Sequence, residues 1–275
     1  MKASARVVAE ARRGGGTRLT ALAGQAPLLL RQTDPAWEHR HGPGAAGLAD
    51  AAGTARVAEE AGAALVHLVG GAAGPLGDDD LRYSVDVGPG ARLRVRSIAA
   101  SLALPGPRGR ESSLEITARV EAGAALFWSP QPLIAARGAR HRATARVDLA
   151  EDARLVWREE TVLGRHGEEP GSIATRLRVK RAGRVLLDQT LAVGPAYPGS
   201  LGAAVTGADR AVGTIVIVDP AWAQVDPADR LDVAPRDSPQ GAIAVLPLSG
   251  PAVVVSALAP DSLTLCRLLD LVPVW

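Results

Sequence analysis

Alternation of apolar and polar residues is the main pattern over the first 200 positions of the chain. Residues 81–87 and 114–120 carry an apolar side chain at every second position, and such runs are interrupted about every ten residues by glycine, proline or aspartate. A period of two is typical of a strand that places one face on a core and the other in water. The pattern therefore predicts β structure from residue 1 to about residue 200.

An internal repeat with a period of roughly 30 residues lies within this region. Each copy has a turn residue, then alanine, then any residue, then a leucine that opens a strand; the copies begin at Gly62, Gly90, Gly123 and Asp152. A turn residue in this position suits a positive φ, which glycine adopts freely and aspartate tolerates. The repeat predicts stacked β layers with their turns at matching corners. The alternative is that any β protein rich in glycine and alanine has such turns by chance.

The last 75 residues have a different pattern. Near-continuous apolar runs at 212–218, 242–246 and 252–255 predict strands buried on both faces. Asp261 precedes leucines at helical spacing and predicts the start of a helix, and residues 199–211 are a second candidate helix. We expect one structural unit over residues 1–275, with a layered β region to about residue 200 and a mixed α/β region from there to the end.

Composition limits the classes of function. Apolar residues make up 47% of the chain, as in a globular protein, and the net charge of +2 gives no reason to expect nucleic acid or a membrane surface as a partner. Cys266 is the single cysteine, which excludes an internal disulfide and cysteine-based zinc clusters. Neither a signal-peptide pattern nor an apolar run of about 18 residues is visible, so a cytoplasmic location is expected.

Motifs of known enzyme chemistry do not occur in the sequence. It contains no Gly-x-Ser-x-Gly, no phosphate-binding Gly-x-x-x-x-Gly-Lys and no His-Glu-x-x-His, so we expect no enzyme activity. His39 and His41 would face the same side of a strand and could share a nickel or zinc ion. An exposed pair in a loop is the favoured alternative for these two histidines.

Three stretches, in a fixed order over residues 62–190, resemble the UreD (UreH) family of urease accessory proteins. The residues that match the family pattern are Gly70, Gly71, Gly77, Asp79, Leu81, the aromatic and proline-containing segment 126–134, Gly164, Arg165, Gly167 and Glu168. Two departures accompany the match: the glycine-rich segment carries about two extra residues, and one residue is missing between Arg165 and Gly167. The chain therefore resembles a diverged member of the family.

The resemblance implies a largely β, helicoid-like fold with about two helices and a non-catalytic role in urease maturation. It implies a UreF-type helical partner, a UreG-type GTPase and apo-urease as partners, no tightly bound cofactor, and nickel that passes transiently through an internal tunnel. Asp79 and Glu168 are the candidate residues on the nickel route, because oxygen ligands release a divalent cation more readily than thiolates do. The structural alternatives are that Asp79 caps a turn and that Glu168 pairs with Arg165. The alternative function is a β-rich module that binds protein or sugar.

Overall fold

The computed structural model describes residues 1–34, 62–107, 109–226, 229–233, 236–238 and 240–274. Within these ranges the chain forms eighteen β-strands, one 3₁₀ helix and one α-helix. The strands are β1 Lys2–Ala11, β2 Thr17–Gly24, β3 Leu28–Thr33, β4 Ala64–Gly70, β5 Asp80–Val87, β6 Arg92–Ser97, β7 Ser101–Ala103, β8 Ser112–Val120, β9 Ala125–Ser129, β10 Leu133–Ala135, β11 Arg140–Leu149, β12 Arg154–Leu163, β13 Ser172–Arg181, β14 Arg184–Val193, β15 Ala211–Val218, β16 Arg236–Ser238, β17 Gly241–Pro247 and β18 Ala252–Ala259. The 3₁₀ helix is Pro220–Gln224 and helix α1 is Ser262–Leu269. His39 and His41 lie outside the described residues.

Two sheets face each other. Sheet A has seven strands in the order β14-β13-β11-β8-β5-β1-β2, and sheet B has eleven, with the order β16-β17-β18-β15-β12-β9-β6-β4-β3 and the short strands β7 and β10 attached. The chain passes from β5 to β6, from β8 to β9 and from β11 to β12, and each strand pairs in parallel with its equivalent in the next layer. The prediction of a mainly β, layered fold is confirmed.

The repeated turns form one corner of these layers. Leu93 pairs in register with Leu126, and Leu126 pairs with Leu155, so the turns that begin at Gly90, Gly123 and Asp152 lie one above another. The alanines that follow these turn residues are fully buried; they are Ala91, Ala124 and Ala153. Because these positions are completely enclosed, a larger side chain there would overpack the corner. Three of the four predicted turns therefore lie at matching corners.

Two details of the repeat differ from the prediction. Ala64, not Leu65, pairs with Leu93, so the copy that begins at Gly62 is offset by one residue. Asp152 does not adopt a positive φ, whereas φ is +67° at Gly90. A turn can reach the same corner by different backbone conformations, and the spacing of the leucines does not distinguish them.

The C-terminal region extends sheet B and covers its outer face. Helix α1 begins where predicted, with the Asp261 carboxylate accepting a hydrogen bond from the Thr264 amide at 2.8 Å. Leu265 and Leu269 pack over Gly213 of β15, where a Cβ atom would lie 2.6 Å from Leu269 Cδ1. The absence of a side chain at Gly213 therefore lets the helix approach the sheet closely.

The predicted helix over residues 199–211 is wrong. Residues 198–208 form a run of turns and bends, and β15 begins at Ala211. Gly199 and Gly207 have φ values of +82° and +57°, which are incompatible with a right-handed helix. Each glycine in a helix interior also costs about 1 kcal/mol relative to alanine, so a glycine-containing segment without a strong apolar face favours turns.

Candidate functional site

Asp79 lies directly before β5 and is buried. One carboxylate oxygen accepts a hydrogen bond from the Leu76 amide at 2.8 Å, and the other lies 2.7 Å from the Met1 ammonium group. The Asp79 amide in turn donates to the Leu76 carbonyl at 2.9 Å, which closes a tight turn. The turn-capping contact that was the structural alternative for Asp79 is therefore present.

Glu168 lies in the loop between β12 and β13. The Arg165 guanidinium donates to its two carboxylate oxygens at 2.9 and 2.7 Å, and the Arg165 amide donates at 3.1 Å. These hydrogen bonds favour the ionised form and lower the pKa of Glu168 to about 2. The pairing that was the structural alternative for Glu168 is present as well.

The carboxylates of Asp79 and Glu168 lie at the same end of the sheet A strands but in different layers. Asp79 precedes β5 and Glu168 precedes β13, and these strands are three interstrand spacings apart in sheet A. At about 4.8 Å per spacing, the two corners are separated by about 14 Å. Asp79 and Glu168 therefore do not form one ligand set, and their place on a nickel route stays a prediction.

The glycines of the matched motifs allow close backbone approaches. A Cβ atom at Gly77 would lie 2.6 Å from the Arg110 carbonyl oxygen, and one at Gly164 would lie 2.8 Å from the Glu168 carbonyl oxygen. Gly167 adopts a φ of +68° in the tight loop that brings Arg165 onto Glu168. These positions shape the loops around the two candidate carboxylates.

The remaining motif residues have structural positions near the same end of the layers. Gly70 ends β4, where it pairs with Leu28 of β3. A Cβ atom at Gly71 would lie 2.8 Å from Leu29 Cδ1. Leu81 is buried in the core between the sheets.

Sheet B carries a row of polar side chains on the face that points towards sheet A. Glu159 of β12 pairs in register with Thr214 of β15, and Thr214 pairs with Ser256 of β18. We call these three residues the inter-sheet row. All three are partly exposed, although they lie on the inner face of central strands. The row of residues next to them on the same strands, which contains Trp157, is buried.

Sheet A supplies the opposite wall at the same level. Leu114, Ala143 and Thr175 are register partners on β8, β11 and β13, face inwards and are partly exposed. On one side of this level lies the main core. On the other side lies a small cluster formed by Ala135, Leu163, Ile173 and Val193. The partly exposed residues of this level therefore lie between two buried apolar clusters.

Glu159 is the carboxylate of the inter-sheet row. Its Oε1 atom accepts a hydrogen bond from Trp157 Nε1 at 2.7 Å. Desolvation raises the pKa of Glu159, and the hydrogen bond from Trp157 offsets only part of this effect. Trp157 is itself held by a parallel stack on Trp128, with ring centroids 4.9 Å apart. The Glu159 side chain is therefore fixed by a rigid part of the core, and part of its surface is exposed.

The sequence motifs did not single out Glu159. Adjacent residues of a strand point to opposite faces. Glu160 points outwards, where Arg158 donates to it at 2.7 Å, and Glu159 points inwards with Trp157. The available signal was a charged residue two positions after Trp157, at a position where the alternation of the strand predicts an inward-facing apolar side chain.

His141 is a second buried polar residue that the sequence did not single out. Its Nδ1 atom lies 2.9 Å from the Ser112 hydroxyl oxygen, and that hydroxyl donates to the Arg140 carbonyl at 3.3 Å. Burial lowers the pKa of His141 to about 4. The imidazole is therefore neutral at pH 7 and lies on the inner face of β11, two residues from Ala143.

No cluster of three or more histidine, cysteine, aspartate or glutamate side chains suited to holding a metal occurs in the described part of the chain. Within the same ranges, no helix has the length and apolar character needed to cross a membrane. The inter-sheet row thus offers one carboxylate and hydroxyl oxygens, a set that suits weak contacts with a hard or borderline cation.

Comparison with known proteins identifies the family. The family model described as UreD urease accessory protein matches residues 1–273. The chain belongs to the UreD family of urease accessory proteins. It is 43% identical over 271 residues to the urease accessory protein UreD of Streptomyces coelicolor, an alignment that covers 98% of this chain and 94% of that relative. The UreD protein of Parafrankia sp. is 41% identical, over 94% of this chain and 83% of its own length.

Membership of the UreD family assigns the chain a role as a urease accessory protein. The relative from Frankia alni is 41% identical over 97% of this chain and 90% of its own length. The similarity to the UreD proteins thus reaches well beyond residues 62–190, where the sequence motifs lie. The family match includes the N-terminal strands and the C-terminal extension of sheet B.

Proposed function

We propose that this UreD-family protein is a scaffold for the insertion of nickel into apo-urease. In this role it acts with a UreF-type helical partner and a UreG-type GTPase, and it carries no tightly bound cofactor of its own. Nickel is its cargo and contacts the protein transiently. The match to the UreD family over residues 1–273 supports the role in urease maturation.

The inter-sheet row is the observation that favours nickel passage through this protein. Its residues Glu159, Thr214 and Ser256 are polar and partly exposed, and they lie between two buried apolar clusters. Oxygen ligands of this kind bind a divalent cation weakly and allow its release, whereas thiolates would retain it. A cation that moves between these sheets is separated from competing ligands in solution.

The test is reconstitution of urease maturation with purified components. Apo-urease, the UreF-type and UreG-type partners, GTP and nickel are combined with and without this protein, and both urease activity and nickel content are measured. We expect both to fall strongly when this protein is omitted. Equal nickel loading of urease with and without it would overturn the proposal. Size-exclusion chromatography of the mixtures tests the expected complex with the UreF-type partner.

A further inference from the structure

The two lateral edges of the sandwich are built differently. At one edge the chain turns directly from β2, the last strand of sheet A, to β3, the last strand of sheet B, and the Leu28 amide donates to the Gln25 carbonyl in that turn at 2.7 Å. At the other edge β14 is the last described strand of sheet A, whereas sheet B continues past β18 with β17 and β16. The strands of the two sheets are therefore unevenly matched on the β14 side.

The cover that sheet A gives to sheet B ends between β18 and β17. Val216 of β15 and Val254 of β18 face sheet A and are buried in the main core, against which Leu187 of β14 packs. Leu246 of β17 is the register partner of Val254 and faces the same way, yet it is 51% exposed. Ala244, two residues earlier on the same face, is exposed as well. We call Ala244 and Leu246 the shelf.

The free edge of β14 borders the shelf. The Gly194 amide, directly after the strand, donates to the Ser200 hydroxyl at 3.0 Å and so points away from β13. Backbone groups of an antiparallel strand alternate in direction, so the amides of Thr190 and Ala192 point away from β13 too. Residues 189–193 contain no charge and no proline, which are the usual protections of an edge strand. This edge therefore has the composition of a strand that can pair further.

The size and chemistry of this step between the sheets select its occupant. β17 and β16 extend sheet B by two strand spacings, about 10 Å, which is the width of one or two added strands. An α-helix on the shelf would leave the β14 amides unpaired, because its own backbone groups are bonded internally. Pairing of β14 with β14 of a second copy is disfavoured, because the projecting strands of the two B sheets would collide first. The shelf is uncharged, so apolar side chains fit it.

We propose that β14 and the shelf dock an extended, uncharged segment of a partner protein, which adds to sheet A as a further strand. Main-chain hydrogen bonds to the outward amides of β14 provide affinity, and apolar side chains at alternate positions, placed over Ala244 and Leu246, provide selectivity. The inference rests on the proposed function for its probes, which are the UreF-type protein, the UreG-type GTPase and apo-urease.

Hydrogen exchange followed by mass spectrometry tests strand addition directly. The full-length protein is mixed in turn with the UreF-type protein, the UreG-type GTPase and apo-urease, and exchange in residues 188–193 is compared with that of the protein alone. We expect one of the three to slow exchange of the Thr190 and Ala192 amides at least about tenfold, because a hydrogen-bonded amide exchanges only when the local structure opens.

Two matched pairs of variants separate the edge from the shelf. Thr190→Pro removes the outward amide, a change that an edge strand tolerates, whereas Thr190→Val keeps that amide. Leu246→Glu places a charge on the shelf, whereas Leu263→Glu does the same at a leucine of helix α1 that is 60% exposed. Circular dichroism checks that each variant is folded. By biolayer interferometry, Thr190→Pro and Leu246→Glu should each weaken association with the protecting partner at least about tenfold, because a lost hydrogen bond and a buried unpaired charge are costly. The two control variants should bind as the native protein does.

Three outcomes would overturn the inference. The first is fast exchange of the β14 amides with all three proteins, including any that associates by another surface. The second is a dimer of this chain alone that protects the same amides, since the groove would then belong to a second copy. The third is an equal loss of binding in a variant and its matched control.

Failure of this inference is distinguishable from failure of the proposed function. If the β14 amides stay in fast exchange while omission of this protein still leaves urease without nickel, only the docking groove is excluded. If omission has no effect on the nickel content of urease, the scaffold function is excluded, whatever the exchange of β14 shows.

Discussion

Two neighbouring levels of the same strands have opposite physical character. At Trp157 the inner face of β12 is buried, and the indole stacks against Trp128 in the main core. One step along the strand, at Glu159, the same face is polar and partly exposed, and Thr214 continues that character on β15. The comparison teaches that the interface between the sheets is divided by level: the first level is buried and stabilises the fold, and the second is polar and partly exposed.

The largest expected effect is a loss of stability at the buried level. Trp157→Ala removes a fully buried indole and its stacking contact with Trp128, and such substitutions typically cost about 3–5 kcal/mol of unfolding free energy. Thr214→Val, at the partly exposed level, should change stability by no more than about 0.5 kcal/mol. Urea unfolding monitored by circular dichroism compares the two. Similar losses for both variants would mean that the two levels do not differ in packing.

The second effect concerns His141, which is buried on the inner face of β11. Its pKa in the folded protein, about 4, lies below the usual value of about 6.5. The unfolded chain therefore binds more protons, and stability should fall as the pH drops from about 6.5 towards 4, by up to about 3 kcal/mol.

His141→Gln removes this titration while leaving a side chain that can bond to Ser112. Its unfolding free energy should depend less on pH over the same range, so the native protein and the variant converge in acid. Parallel pH profiles for the two proteins would show that His141 does not contribute. Urea unfolding at several pH values provides the measurement.

The third effect concerns Glu168 in the loop between β12 and β13, and not the residues between the sheets. Glu168→Gln should reduce nickel loading of urease, with little change in stability, if Glu168 is on the nickel route. Arg165→Gln is the matched control, because it breaks the same ion pair and keeps the carboxylate. If only Glu168→Gln reduces nickel loading of urease, the result favours a place for Glu168 on the nickel route. If both variants reduce it equally, the result favours a structural ion pair between Arg165 and Glu168. Asp79→Asn, assayed in the same way, tests the first layer of that corner.

The smallest effect is the pH dependence that Glu159 imposes on stability. Because burial raises its pKa in the folded protein, the folded state holds its proton to a higher pH than the unfolded chain does. Stability should therefore decrease as the pH rises through the usual glutamate range, near 4.3, and towards the raised folded value. Glu159→Gln should lack this decrease when its unfolding is measured over the same pH range. If the stability of the native protein rises over this pH range as that of the variant does, the Glu159 carboxyl group lies in bulk water and its pKa is not raised.

The layered fold was predictable because each layer repeats a local signal. Leucine after a Gly-Ala turn marks the start of a strand, and Leu93, Leu126 and Leu155 indeed stack in register. The start of helix α1 was predictable from Asp261 for the same reason, since a cap acts within one turn. The segment 199–211 was misassigned because its glycines required positive φ values that residue type alone does not reveal.

The candidate site was less predictable than the fold. Asp79 and Glu168 were identified from motifs, yet each has close partners within its own loop or at the chain start. Glu159 was missed because its significance depends on residues 55 positions or more away, such as Thr214, and on which face of β12 points inwards. Pairings of this range are not encoded in any local pattern.

By itself, the sequence determined that the chain is a layered β protein of the UreD type, because alternation, turn residues and motif order are local properties. The tertiary structure alone decided which polar side chains face each other. Strand pairing brings Glu159 beside Thr214, and sheet packing places Ala143 and Thr175 opposite them. Burial and desolvation depend on that packing, so the raised pKa of Glu159 and the lowered pKa of His141 exist only in the folded chain.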